Sequence, residues 1–141
     1  MDRIEALAII EEYVKTDSLR KHLFAVEASM KSYASFFGGD QEEWAIAGLL
    51  HDYDWEICPN PDDHPIFGVN ILRNKNVPET IIRAVMSHGD HTGIERITLM
   101  EKTLFAVDEL SGFVTAVALV RPSKSLFDVD VRAVKKKMKD K

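Results

Sequence analysis

Five histidines and a handful of aspartates carry whatever chemistry this 141-residue chain can do. His51 and Asp52 close the run Ala47-Gly48-Leu49-Leu50-His51-Asp52, where a small apolar helix is about to end. Two strongly polar side chains at that place want solvent or a cation. His22 falls on the apolar line of an earlier helix, His64 stands before Pro65, and His88 and His91 flank a glycine-containing loop. Asp108 is set in Thr103-Leu104-Phe105-Ala106-Val107-Asp108-Glu109-Leu110, the most hydrophobic stretch of the chain. Removing a carboxylate from water costs several kcal/mol unless something compensates. Asp108 therefore pairs with an arginine such as Arg83 or Arg96, or it ligates a metal. Neutral imidazole and carboxylate are the ligands preferred by Fe, Mn, Zn and related divalent ions, and the shared placement of these residues at helix ends and inner faces favours the metal.

The elements that must position them are helices. Asp2 caps a first helix with apolar residues Ile4, Leu7, Ala8, Ile10 and Val14 at helical spacing. A second runs from Thr16 or Asp17 to about Phe37, stopped by Gly38-Gly39, with Leu19, His22, Val26, Met30, Tyr33 and Phe37 on its buried stripe. Asp40 caps a third that ends near His51-Asp52. Tyr53 to Asp63 is a loop by its prolines and aspartates. His64-Pro65 opens a short helix, and Pro78-Glu79 begins another that reaches His88. From about Thr98 to Val120 runs a helix apolar on most sides, expected to be the central, buried one. Asp128 or Asp130 starts the last. No segment alternates with the period of a strand, so the expectation is an all-α bundle of six or seven helices forming a single domain over residues 1–141.

Composition bounds the function. The chain is 45% apolar and 29% charged, as globular domains are. Its last 21 residues hold 8 basic and 3 acidic side chains, against 10 and 20 in the first 120. An acidic body argues against nucleic acid as partner, and the Lys135–Lys139 run reads as a solvated helix face. No apolar stretch is long enough for a membrane span. A lone Cys58 allows no internal disulfide and fits a reducing, cytoplasmic setting.

The order His22, His51-Asp52, Asp108 resembles the HD-domain superfamily of metal-dependent phosphohydrolases. The wording around each residue agrees: HLFAVEA, AGLLHDYD, HPIFGVNIL, AVMSHGDHTG and LFAVDELSG resemble the family's successive segments over nearly the whole chain. The resemblance implies His22, His51, Asp52 and Asp108 around a first metal, with Asp52 bridging to a second held also by His64 and His88. His64 and His88 at matching places favour the two-metal branch over the four-ligand, one-metal branch. Adjacent helical residues point about 100° apart, so His51 and Asp52 can serve neighbouring ions.

The implied activity is hydrolysis of a phosphomonoester or phosphodiester of a nucleotide or other small metabolite, by a water activated between two divalent ions, Fe, Mn or similar. Asp52 carries the catalysis. Asp54 either orients a ligand histidine, acts as acid or base, or is a plain turn residue. His91 either protonates a leaving group, holds substrate, or faces solvent. Trp55, Tyr53 and Phe67 either wall a ring-binding pocket or pack. One departure stands out: many members continue the pair as His-Asp-Ile-Gly-Lys, whereas this chain reads His51-Asp52-Tyr53-Asp54-Trp55. The lysine's role is lost or passes to another cation, with Arg121 and Lys124 as candidates. The competing readings are a mixed-valent diiron oxygenase of the same superfamily and a non-catalytic, metal-stabilised binding module.

Overall fold

Side chains write most of the helix starts. In the computed structural model, which describes residues 1–140, Asp2 and Glu5 form a reciprocal capping box ahead of α1 (Arg3–Tyr13). α2 (Asp17–Phe37) ends on Gly38 in the left-handed conformation that glycine adopts without steric cost. Asp40 accepts from the Glu42 and Glu43 amides to start α3 (Gln41–Leu50). α4 (Val69–Asn74) and α5 (Glu79–Ser87) follow, then α6 (Leu99–Leu119) behind a second capping box of Thr98 and Glu101, and α7 (Val131–Lys137) capped by Asp130. Among the described residues there are seven α-helices and no strand, so the all-α bundle is what the chain forms. No helix is long and apolar enough to cross a membrane.

The centre belongs to α3, not to α6 as its hydrophobicity suggests. Every residue from Trp44 to Leu50 is buried, and α3 packs against α1, α2, α5 and α6. Small residues explain this. Ala45, Ala47 and Gly48 let neighbours approach on all sides, and a Cβ on Gly48 would stand 2.9 Å from Met30 Cγ and 3.0 Å from the Val26 carbonyl of α2. α6 is too long for such a place. At 1.5 Å per residue its 21 residues run about 31 Å. Met100 to Val107 pack into the core, while Leu110, Leu119 and Val120 beyond them are exposed.

Two further expectations shift. The seam of α2 is Leu23, Val26, Met30 and Ala34, because the close approach at Gly48 admits only that row. Tyr33 and Phe37 instead stack on one another, half exposed, next to Trp44. The helix expected from His64-Pro65 begins only at Val69. The Gly68 N–H is taken by the Asp54 carboxylate at 2.9 Å instead of a carbonyl of the preceding turn, so residues 64–68 stay a turn, while its carbonyl accepts the Ile71 and Leu72 amides of α4 together with the Tyr53 hydroxyl at 2.5 Å.

Candidate metal centre

The tight α2–α3 crossing brings His22 against His51. Their Nε2 atoms lie 3.2 Å apart, and Asp108 Oδ1 from α6 reaches both, at 3.0 Å and 3.4 Å. Neither Arg83 nor Arg96 takes Asp108: Arg83 pairs with Glu101 and Arg96 with Asp90. On the far side of Asp52, His64 and His88 place their Nε2 atoms 3.3 Å apart. Asp52 joins the two sets with different oxygens. Its Oδ2 faces His22 (3.7 Å) and His51 (3.4 Å), and its Oδ1 faces His64 (2.9 Å) and His88 (3.2 Å). Ligand-type atoms of His22, His51, Asp52 and Asp108 all lie within 4.8 Å of one another, as do those of Asp52, His64 and His88. All six residues singled out as ligands are thus brought together in two groups sharing Asp52.

The imidazoles are aimed by what their outer nitrogens do. His51 Nδ1 donates to the Gly48 carbonyl at 2.7 Å, and His88 Nδ1 donates to Val85 at 2.6 Å. Each histidine sits just past its helix and its ring donates to a carbonyl of the last turn, which at Val85 also receives the His88 amide. His64 Nδ1 donates to Asp54 Oδ1 at 2.7 Å. With the proton held on Nδ1, the neutral ring points a bare Nε2 lone pair inward. Three such lone pairs, the Nε2 of His22 and two carboxylates converge with no lysine or arginine among them. That arrangement is repulsive unless positive charge occupies it, so the donor set fits divalent metal ions in both groups.

Protons are the alternative source of that charge, and they shift the titration. Burial disfavours the charged form of His51, but Asp52 and Asp108 outweigh it and push its pKa up to about 10. Burial likewise opposes charge on His64, yet Asp52 and Asp54 raise it to about 9. Burial would raise the two carboxylates, but His51, with His64 and His88, holds Asp52 well below the carboxylate range. His22 and His51 do the same for Asp108.

Asp54 and His91 stand outside the cluster. Asp54 is wholly buried, its oxygens accepting from His64 Nδ1 and the Gly68 amide, a placement suited to orienting the His64 ring. His91 lies in a 3-10 turn (Asp90–Thr92), where its Nε2–H donates to the backbone carbonyl of His64 rather than pointing between the ligands. Tyr53 is buried packing, and Trp55 rests edge-on against His64 with half its surface exposed. Neither Arg121 nor Lys124 forms an ion pair with the cluster. Arg121 is thirteen residues beyond Asp108, about 19 Å along the helix axis. The nearest lysine in sequence is Lys21, beside His22, and it is held by Asp17 at 2.6 Å. Sequence reasoning missed the Tyr53–Gly68 bond, for which no pattern in the chain gives a signal.

The cluster opens to solvent on the Asp108 side, through a depression of about 360 Å³ lined by His22, Asp108, Glu109, Gly112, Phe113 and Ala116. The sequence profile of the HD domain family matches residues 19–112, about two thirds of the chain, from the first turn of α2 to this opening. No solved structure matches the chain.

Proposed function

The chain belongs to the HD-domain superfamily of metal-dependent phosphohydrolases, and on that premise we propose that it hydrolyses a phosphate ester of a small metabolite using two divalent metal ions. The observation that carries this reading is the division of Asp52, whose two oxygens face two separate histidine groups. A carboxylate so placed suits a bridge between neighbouring ions. His22, His51 and Asp108 would complete one ion's shell and His64 and His88 the other's. When bound, the ions supply Lewis acidity to the phosphoryl oxygens and an acidified water as nucleophile.

The protein's part is positional. Helix-end carbonyls fix the His51 and His88 rings, and Asp54 fixes His64, so the ligands are oriented before any ion arrives. His91 holds the His64 backbone. The buried floor built by α3 excludes water from beneath the cluster, while Asp108, a fifth exposed, borders the depression through which an ester would approach. Iron and manganese both suit this nitrogen and oxygen set, and availability decides between them.

The test is phosphate release from p-nitrophenyl phosphate, its bis ester and a panel of metabolite esters, by protein loaded with Mn²⁺ or Fe²⁺. Turnover is expected in the wild type and absent in Asp52→Ala at unchanged helical circular dichroism. Metal analysis showing two ions, with no ester hydrolysed under any metal, would sink the proposal. Oxygen consumption by the iron-loaded protein would replace it with the diiron oxygenase reading.

A further inference from the structure

A second depression, about 640 Å³, lies between α2 and the C-terminal half of α6 and runs into the first, sharing His22 and Gly112 with it. Its walls are largely apolar. Phe24 and Ala25 come from α2, Gly112 and the Thr115 side chain from α6, and Leu126 from the segment after it. Phe24 is 41% exposed and Leu126 56% exposed, so both present carbon to solvent within reach of the candidate metal centre. The volume falls in the range of sites that bury a small organic molecule, roughly 300–1,000 Å³. Asp17 and Lys21 of α2 also line it and pair with each other at 2.6 Å. Both are at least three-quarters exposed, a solvated surface pair rather than a built phosphate site.

We propose that this groove holds the apolar part of the substrate, because it is continuous with the metal cluster through His22, and that the ester acted on is the phosphate of an apolar alcohol rather than a nucleotide. The proposal rests on the hydrolytic reading above for the phosphate half of the substrate. The metal ligands hold that half, and the apolar chain lies along α2 past Ala25 toward Leu126. Gly112 is what keeps the passage open. A Cβ added there meets nothing within 4 Å, so a larger side chain would project into the groove without disturbing the helix.

Alkylphosphonates, which cannot be hydrolysed, separate binding from turnover. Calorimetry of the full chain loaded with Mn²⁺ is expected to show affinity rising roughly fourfold per added methylene from methyl- to octylphosphonate, with octylphosphonate binding more tightly than adenosine 5′-monophosphate. Gly112→Leu, and independently Ala25→Leu, should flatten that slope. A flat wild-type series, or tightest binding by the nucleotide, overturns the assignment. So does a dimer by sedimentation whose dissociation exposes the groove, which would make a second copy of the chain its occupant. If no ester is turned over while the chain-length slope persists, the hydrolytic reading falls and the groove assignment stands. Turnover without a slope gives the reverse.

Discussion

Replacing Asp54 by asparagine changes one charge and almost no volume, at a residue that touches no candidate metal position. The carboxylate accepts two hydrogen bonds, from His64 Nδ1 at 2.7 Å and from the Gly68 amide at 2.9 Å. An asparagine has one acceptor oxygen and one donor nitrogen. If the oxygen keeps the Gly68 amide, the new NH₂ faces His64 Nδ1 and forces its proton onto Nε2, the atom 2.9 Å from Asp52. A protonated Nε2 cannot ligate. If the oxygen keeps His64, the Gly68 N–H is buried without a partner, at a cost of about 1–3 kcal/mol. The first outcome weakens the His64/His88 ion by about 10- to 100-fold, or about 1.4–2.7 kcal/mol at 1.36 kcal/mol per decade. The ion held by His22, His51 and Asp108 should be spared, since Asp54 touches none of them. Stepwise Zn²⁺ titration against a competing chelator resolves the two events, and long-range ¹H–¹⁵N spectra report which His64 nitrogen bears the proton. Equal loss at both ions, or wild-type affinity at both, would refute the orienting role given to Asp54.

Metal loading should release protons near neutral pH, because His51 and His64 titrate at about 10 and about 9 without metal. Calorimetry in buffers of different ionisation enthalpy should count about two, with affinity climbing as pH rises toward 9, and no release between pH 7 and 8 contradicts the titration. In the metal-free protein the raised imidazoles stabilise fully below about pH 6.5, and that contribution fades as pH rises through about 9 to 10. The lowered Asp52 and Asp108 contribute above their unfolded value of 3.8 and lose that contribution as pH falls, so thermal stability should peak between these limits. Tyr53→Phe removes one of three donors to the Gly68 carbonyl, the Ile71 and Leu72 amides remaining, and should cost only about 0.5–1.5 kcal/mol in urea unfolding. Gly68→Ala, whose Cβ would overlap the same hydroxyl, should cost more and also weaken the His64 ion. His91→Ala should lower turnover only a few-fold and leave the shape of the pH–rate profile intact, whereas a leaving-group acid would lose its alkaline limb.

How far the sequence reached depends on which physical signal each feature leaves. Capping aspartates, Gly38 and the apolar periods leave local signals, and the seven helices follow them closely. Helix rank in the bundle leaves none. α6 is the more hydrophobic by composition, yet α3 is central because Ala45, Ala47 and Gly48 are small, and close approach is a property of pairs of helices rather than of one. The assembly of His22, His51, Asp52, His64, His88 and Asp108 was legible as an ordered set. Its division between two oxygens of Asp52 needed coordinates. Asp54 and His91 read ambiguously because their partners, the His64 ring and its backbone, are distant in sequence and set by the turn at residues 64–68. Arg121 and Lys124 were plausible by charge, but neither pairs with the cluster.

His51 and His88 each occupy the position just past a helix and donate to a carbonyl three residues back. Each is therefore a stop signal for its helix as well as an arm of the cluster, and the two roles are drawn on by different selective pressures. A descendant that abandoned the chemistry would still gain from both imidazoles as helix terminators, so drift would erase them slowly. Asp52 has no such second employment: its contacts are the four histidines of the cleft. Among copies of this gene decaying in parallel, Asp52 should be the first of these residues to vary and the better marker of which copies still work.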